Sequence, residues 1–489
     1  MSRLETLPTE ILCEIFGWLV VRDPDSRMRR LGDISSLRLT NKAIGALADA
    51  IFMEEVVFCP CSKRDVDMVL AIAAHPMYSR YLSTLTLTLE MMSRDRLSGL
   101  EYDRALRMRK SKQLPKVTEK FIWQQYHLYE RFFDEQSQLF DNDLEIFEEL
   151  AANLPNVREL VVSLHDALRQ VLSPFKKCSY DLQHARLSRW DWNDLSNQAT
   201  SLFRAFREST HLQVLRVGAI PFGFFHPVTF MQGNHCMMGN FLGNITTFEL
   251  AILVYLDSET AHPSAFQIPE VEERFEECRE VMGKGALRSI LDGMPNLVNL
   301  TIRFAEDHMF DMGTFDAPAT LRSFIAPNQV WPKLRKLAID NVETERSELA
   351  GFIALHKDSL ATVYLQSMRF TSTSWMKFFP DLKSRLVGSE VDLFVSGILR
   401  GRCENEERSA EGWNLGGEIC FQNVMDDDDD DDDDDDTLIR IAITDYVKSP
   451  NQTLPCPLTF DNMYWTFESG AEGSYGGWET VGDEESDSE

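Results

Sequence analysis

Trp331-Pro332-Lys333-Leu334-Arg335-Lys336-Leu337-Ala338-Ile339 carries the pattern that decides the fold. Leu337 and Ile339 alternate with Ala338, which suits a short strand with one apolar face. Leu334 stands three residues before Leu337, in the turn that leads into that strand. The same pattern recurs as Leu82-x-x-Leu85-x-Leu87, Val157-x-x-Leu160-x-Val162, Leu212-x-x-Leu215-x-Val217, Ile245-x-x-Phe248-x-Leu250, Leu297-x-x-Leu300-x-Ile302 and Leu360-x-x-Val363-x-Leu365. Leu321-x-x-Phe324 reads as a weaker copy. Between copies lie helical faces: Ile122, Tyr126, Tyr129 and Phe133; Leu144, Phe147 and Leu150 after Asp143; and Leu349, Phe352, Ile353 and Leu355. Short strands stacked in parallel with helices behind them make a curved solenoid. The copies are unevenly spaced, so the expectation is an irregular α/β solenoid of leucine-rich units with inserted loops and helices. An ordinary α/β domain with several parallel strands is the alternative.

Composition limits the rest. A chain of 489 residues is long enough for two or more structural units. The formal charge of −29 is unevenly spread. Asp426 to Asp436 contribute 11 acidic side chains, and the stretch from Glu468 to Glu489 contributes 8 more with no Lys or Arg, leaving about −10 on everything else. Such a balance disfavours nucleic acid as the main partner, because phosphate binding needs concentrated positive charge. Nine cysteines at irregular spacing do not read as a disulfide framework and fit a reducing compartment, cytoplasm or nucleus. Glu5, Glu10 and Glu14 interrupt the apolar residues where a signal peptide would need them unbroken, and no apolar run approaches membrane-spanning length.

The N-terminal segment has its own logic. Pro8 fits the first turn of a helix. Ile11, Ile15 and Leu19, with Leu12 and Phe16 beside them, give that helix an apolar arc too wide for one buried side. Arg22 to Arg30 is a charged loop. Ile34, Leu37 and Leu39 form a second apolar set after Asp33, and Ile44, Leu47, Ala48 and Ile51 a third. Met53 to Phe58 alternates as a strand. By periodicity alone this is a small three-helix subdomain folded on the rest of the chain. The order Leu7-Pro8-x-Glu10-Ile11, Ile15-Phe16-x-x-Leu19 and Leu37-Arg38-Leu39-Thr40-Asn41-Lys42 also resembles an F-box, the module that docks on the Skp adaptor of SCF-type ubiquitin ligases. Asn41 stands where a cysteine is common, Ile44 where an aromatic is common, and the Arg22–Arg30 loop is longer than a minimal F-box needs. Trp331 to Leu337, Leu349 to His356, Asp358-Ser359-Leu360 and Ser374-Trp375 resemble the C-terminal repeats of F-box proteins of filamentous fungi; Tyr129 to Val162 is similar to their middle region.

That resemblance implies an adaptor-facing surface made by Leu7, Pro8, Ile11, Ile15, Leu37 and Leu39. It implies a Skp-family adaptor as partner, a cullin and a RING protein through it, and a protein target on the repeat body. Catalysis would then sit on the partners, with no catalytic residue, cofactor or metal in this chain. A non-ligase F-box scaffold and a cryptic α/β enzyme are the other two classes. The expected layout is an F-box over 1–58, a helical linker and first repeat-like unit over 59–150, and an irregular repeat body over 151–400. A C-terminal cap over 401–467 is interrupted by the aspartate loop at 426–436 between the strand-like segments Ile419-Cys420-Phe421 and Leu438 to Ile441; a disordered acidic tail covers 468–489.

Features that suggest chemistry have plainer explanations. Cys59-Pro60-Cys61 is half a metal site without a second pair at suitable spacing. His226, His235 and Cys236 fall in a Gly- and Phe-rich loop, and Arg104 to Lys112 make a solvated basic patch. Trp190, Trp192, Phe222, Phe224 and Phe225 are candidate target contacts, since aromatic side chains carry much interface energy; buried aromatic packing is the alternative for each.

Overall fold

The computed structural model describes residues 54–88, 119–163, 192–226, 240–254, 268–305, 317–402, 409–415, 443, 445–447 and 464–468. The expected three-helix head, the basic patch and the aspartate run with its two flanking segments lie outside them. The chain is an α/β protein of alternating helices and parallel strands, and it divides into two compact units.

The first unit carries β1 (Glu55–Phe58), α1 (Lys63–Ala74), α2 (Tyr78–Tyr81), β2 (Thr84–Thr88), α3 (Glu119–Phe140), α4 (Asp143–Asn153), β3 (Glu159–Ser163), α5 (Trp192–Phe206) and β4 (Val214–Pro221). Its strands lie side by side in chain order, all parallel. The register puts Leu85 opposite Leu160 and Leu160 opposite Leu215, with Leu87, Val162 and Val217 two residues on. Each motif position therefore stacks on the same position of the next copy, and all six side chains are buried. The turns match too: the carbonyl of Ser83 accepts from the amides of Arg158 and Glu159, and that of Arg158 from Gln213 and Val214.

The second unit repeats this arrangement. It contains β5 (Thr247–Leu253), α6 (Ile268–Gly283), α7 (Ala286–Asp292), β6 (Asn299–Ala305), α8 (Leu321–Phe324), β7 (Lys336–Asp340), β8 (Glu343–Thr344), α9 (Arg346–Leu355), β9 (Thr362–Gln366), β10 (Arg369–Phe370), α10 (Trp375–Arg385), β11 (Asp392–Ser396), β12 (Ile398–Arg402), β13 (Ser409–Asn414) and β14 (Tyr464–Glu468). β5, β6, β7, β9 and β11 form a parallel sheet whose apolar rows run Phe248, Leu300, Leu337, Val363, Leu393 and Leu250, Ile302, Ile339, Leu365, Val395. Those ten side chains are buried against the helices and make the core.

Two expectations need correction. Leu321-x-x-Phe324 is a one-turn helix, not a strand. Its spacing of three suits a helical turn as well as the repeat, and no alternating apolar pair follows Phe324. Leu355, expected on the buried face of α9, is 48% exposed, while Leu349, Phe352 and Ile353 are buried.

A second sheet begins where the main strands end. Asn341, Ser367 and Gly397 each follow a main-sheet strand, and each has positive φ (58°, 48° and 68°). That backbone turn sends the chain into β8, β10 and β12, which pair in parallel. β12, β13 and β14 then continue as an antiparallel ribbon. Gly397 is the tightest point: a Cβ there would sit 2.4 Å from Ser367 Oγ and 3.1 Å from its backbone nitrogen. Gly397→Ala is therefore expected to destabilise by about 1–2 kcal/mol from the left-handed dihedral alone, with the contact adding to it. Urea unfolding should show a lower midpoint, and in a Ser367→Gly background the loss should shrink toward the dihedral part.

Buried polar groups are tied into this frame. His356 accepts the Trp331 amide at Nε2 (3.0 Å) and donates from Nδ1 to the Phe352 carbonyl (2.9 Å). Burial pulls its pKa below the ordinary histidine range, partly opposed by the bond to Phe352. The unfolded chain then takes up this proton first as pH falls. The stabilisation is complete above about pH 6.5 and is lost below it, at up to about 1.4 kcal/mol per pH unit. Urea titrations between pH 7.5 and 5.5 should give a shallower slope for His356→Gln than for the native chain; equal slopes would refute it.

Candidate functional site

Strand alternation that sends Leu337 and Ile339 into the core turns Lys336, Ala338 and Asp340 to the opposite face. In the second unit, register makes three rows of such positions. One runs Thr247, Asn299, Lys336, Thr362, Asp392; the next Glu249, Thr301, Ala338, Tyr364, Phe394; the third Ala251, Arg303, Asp340, Gln366, Ser396. This face is polar where the core face is uniformly apolar.

Its interactions cross strands. Asn299 Nδ2 donates to Thr247 Oγ1 at 3.1 Å. Arg303 Nε lies 3.3 Å from Asp340 Oδ2, and the two side chains are 18% and 6% exposed. Ser396 Oγ donates to Gln366 Oε1 at 3.4 Å. Toward the strand starts, Tyr364 and Phe394 stack with centroids 4.9 Å apart at 15°, and Lys336 Nζ stands 5.2 Å from the Tyr364 centroid. All three are half-buried. The corresponding face of the first unit pairs Arg216 with Glu159 and lets Thr86 Oγ1 donate to Glu55 Oε1 at 3.0 Å. The arrangement holds charged, hydroxyl and aromatic groups at fixed strand spacings, which suits recognition of another molecule's side chains.

None of the residues singled out from the sequence belongs to these strand rows. Leu7, Pro8, Ile11, Ile15, Leu37, Leu39 and Trp190 lie outside the described residues, and Trp192 is the first residue of α5. Phe222, Phe224 and Phe225 sit in a 3-10 turn at the end of β4 and are only 6%, 1% and 1% exposed. Their rings pack inward, Phe224 edge-on to Phe203 at 6.0 Å, so they offer little surface to a target. Sequence offered no sign of the sheet-face cluster, because Lys336, Tyr364 and Phe394 meet only once the register is fixed.

Cys59 and Cys61 are buried thiols that form no disulfide. The hydrogen bond with Cys59, then burial, pushes the Cys61 thiol well up. Gln198 Nε2 donates to Cys61 Sγ at 3.3 Å, and Asp65 Oδ2 accepts the Cys59 amide at 3.1 Å. Burial likewise raises the Cys278 thiol. Raised pKa values favour the weakly nucleophilic thiol form of Cys61 and Cys278. Among the described residues, no group of three or more His, Cys, Asp or Glu is placed to hold a metal ion, and no helix is long and apolar enough to cross a membrane.

A scan against protein-family models finds no match for this chain, and a search of the curated proteins finds none either.

Proposed function

We propose that this protein is the substrate-recognition subunit of an SCF-type E3 ubiquitin ligase. An F-box over residues 1–58 would dock on a Skp-family adaptor, and an irregular leucine-rich-repeat solenoid would hold the protein target on its strand face. The observation that carries the repeat half is the in-register stacking of successive L-x-x-L-x-L copies on parallel strands laid down in chain order. The adaptor half is supported by the order and spacing of Leu7-Pro8-x-Glu10-Ile11, Ile15-Phe16 and Leu37-Arg38-Leu39. Such a subunit performs no chemistry. It raises the effective concentration of target beside the charged conjugating enzyme, which a cullin and a RING protein bring through the adaptor.

A buried Leu contributes about 1.5–3 kcal/mol, and about 1.4 kcal/mol is a tenfold change in affinity. The double variant Leu7→Ala, Pro8→Ala is expected to lose at least about tenfold in adaptor affinity, with unchanged urea unfolding of the body. Co-purification of adaptor at the native level would refute the contact surface. Ligase action separates from scaffolding by target turnover: a protein held by the repeat body should accumulate when the proteasome is inhibited, and equally when residues 1–58 are deleted. A bound protein whose level responds to neither is scaffold cargo.

A further inference from the structure

The strand face of the second unit favours one chemical class of target, and the inference rests on that face being the target-holding surface. Tyr364 and Phe394 present a stacked aromatic shelf across β9 and β11, half-buried rather than sealed. The two rings turn their faces to each other across the strands, so the shelf they offer a large side chain is the apolar edge of the stack, at low entropic cost because each ring is already held by its neighbour. Lys336 stands over the edge of that shelf. Among the described residues its ammonium has no carboxylate within 4.0 Å, while the neighbouring Arg303 is engaged by Asp340. A half-buried lysine beside an apolar platform attracts an anion more strongly than one in open water, since both partners are partly desolvated.

The geometry points to a protein segment in which a large apolar or aromatic residue is followed or preceded, within about one strand spacing, roughly 5 Å, by a carboxylate. The apolar side chain would lie on Tyr364 and Phe394, and the carboxylate would pair with Lys336.

Panning a random dodecapeptide display library against the full chain tests this. Enriched peptides are expected to place Asp or Glu within three positions of Phe, Leu, Ile, Met or Trp. Synthetic versions should lose at least about tenfold in affinity toward Lys336→Glu and toward Phe394→Ser, and bind Tyr364→Phe within about twofold, because that variant keeps the shelf. Lys336→Glu panned in its own right should select Lys or Arg in place of Asp or Glu. Unchanged urea unfolding of Lys336→Glu shows that its effect is not misfolding. Enrichment without an acidic residue, or equal binding to Lys336→Glu, overturns the inference. Adaptor binding measured on the same chain separates the two failures. A chain that binds the Skp adaptor but selects no acid-flanked apolar peptide sinks this inference alone. One that selects such peptides and ignores the adaptor sinks the ligase proposal alone.

Discussion

Trp331→Ala is expected to lower the stability of the second unit by about 3–5 kcal/mol, an effect large enough to leave a substantial fraction of the chain unfolded at physiological temperature. Trp331 is fully buried. Its ring meets Phe352 edge-on at 6.0 Å and His356 at 6.2 Å. Alanine would leave a cavity between α9 and the turn into β7, and would loosen the amide that His356 holds. The indole Nε1, however, is buried with no acceptor among the described residues. An unsatisfied buried donor costs about 1–3 kcal/mol. Trp331→Phe keeps most of the apolar contact and removes that donor, so it should fall far short of the alanine loss. Urea midpoints of the two variants decide the matter: equal losses would mean that ring packing is not what Trp331 supplies.

Asp340→Ala should cost about 3 kcal/mol or more. Asp340 is almost wholly buried, and Arg303 reaches it from the adjacent strand at 3.3 Å. Removing the carboxylate leaves a guanidinium charge in a site with little access to water, which is dearer than the pair itself was worth. Replacing both partners, Arg303→Met with Asp340→Leu, should recover most of the loss, because two apolar side chains leave no charge behind. The double-mutant cycle therefore carries a specific sign: a strongly favourable coupling, with the double variant nearer the native chain than Asp340→Ala is. Additive losses would show that the pair does not act as a unit.

Much of this fold could be seen in the chain before its geometry was known, and the reason is local. Every complete L-x-x-L-x-L copy from Leu82 to Leu365 marks a main-sheet strand, because turn and strand both lie within six residues. β11 escaped the pattern: Glu390 occupies the turn position, and the adjacent Val391 is buried there. Leu321-x-x-Phe324 misled for the opposite reason, since two apolar residues three apart satisfy a helical turn equally well. β8 and β10 have two residues each, too few for any periodicity. Asn341 and Ser367 take left-handed turns that carry no glycine to announce them.

The candidate site was less legible than the core. Lys336 and Tyr364 are 28 residues apart, and Tyr364 and Phe394 are 30 apart. Their juxtaposition depends on which strands lie side by side and in what register, and β11, which carries Phe394, has no complete motif copy to align. Phe222-Gly223-Phe224-Phe225 suits packing first and recognition second, since composition does not say which way a ring points. A ring against Phe203 does.

We propose that this chain recruits rather than catalyses and that its N-terminal segment docks on an adaptor. Calorimetric titration of the purified full chain with purified Skp-family adaptor tests that most directly. The account predicts a saturable one-to-one complex that the native chain forms and the Leu7→Ala, Pro8→Ala chain loses. A correctly folded chain that releases no heat of binding and elutes apart from the adaptor on gel filtration would contradict it.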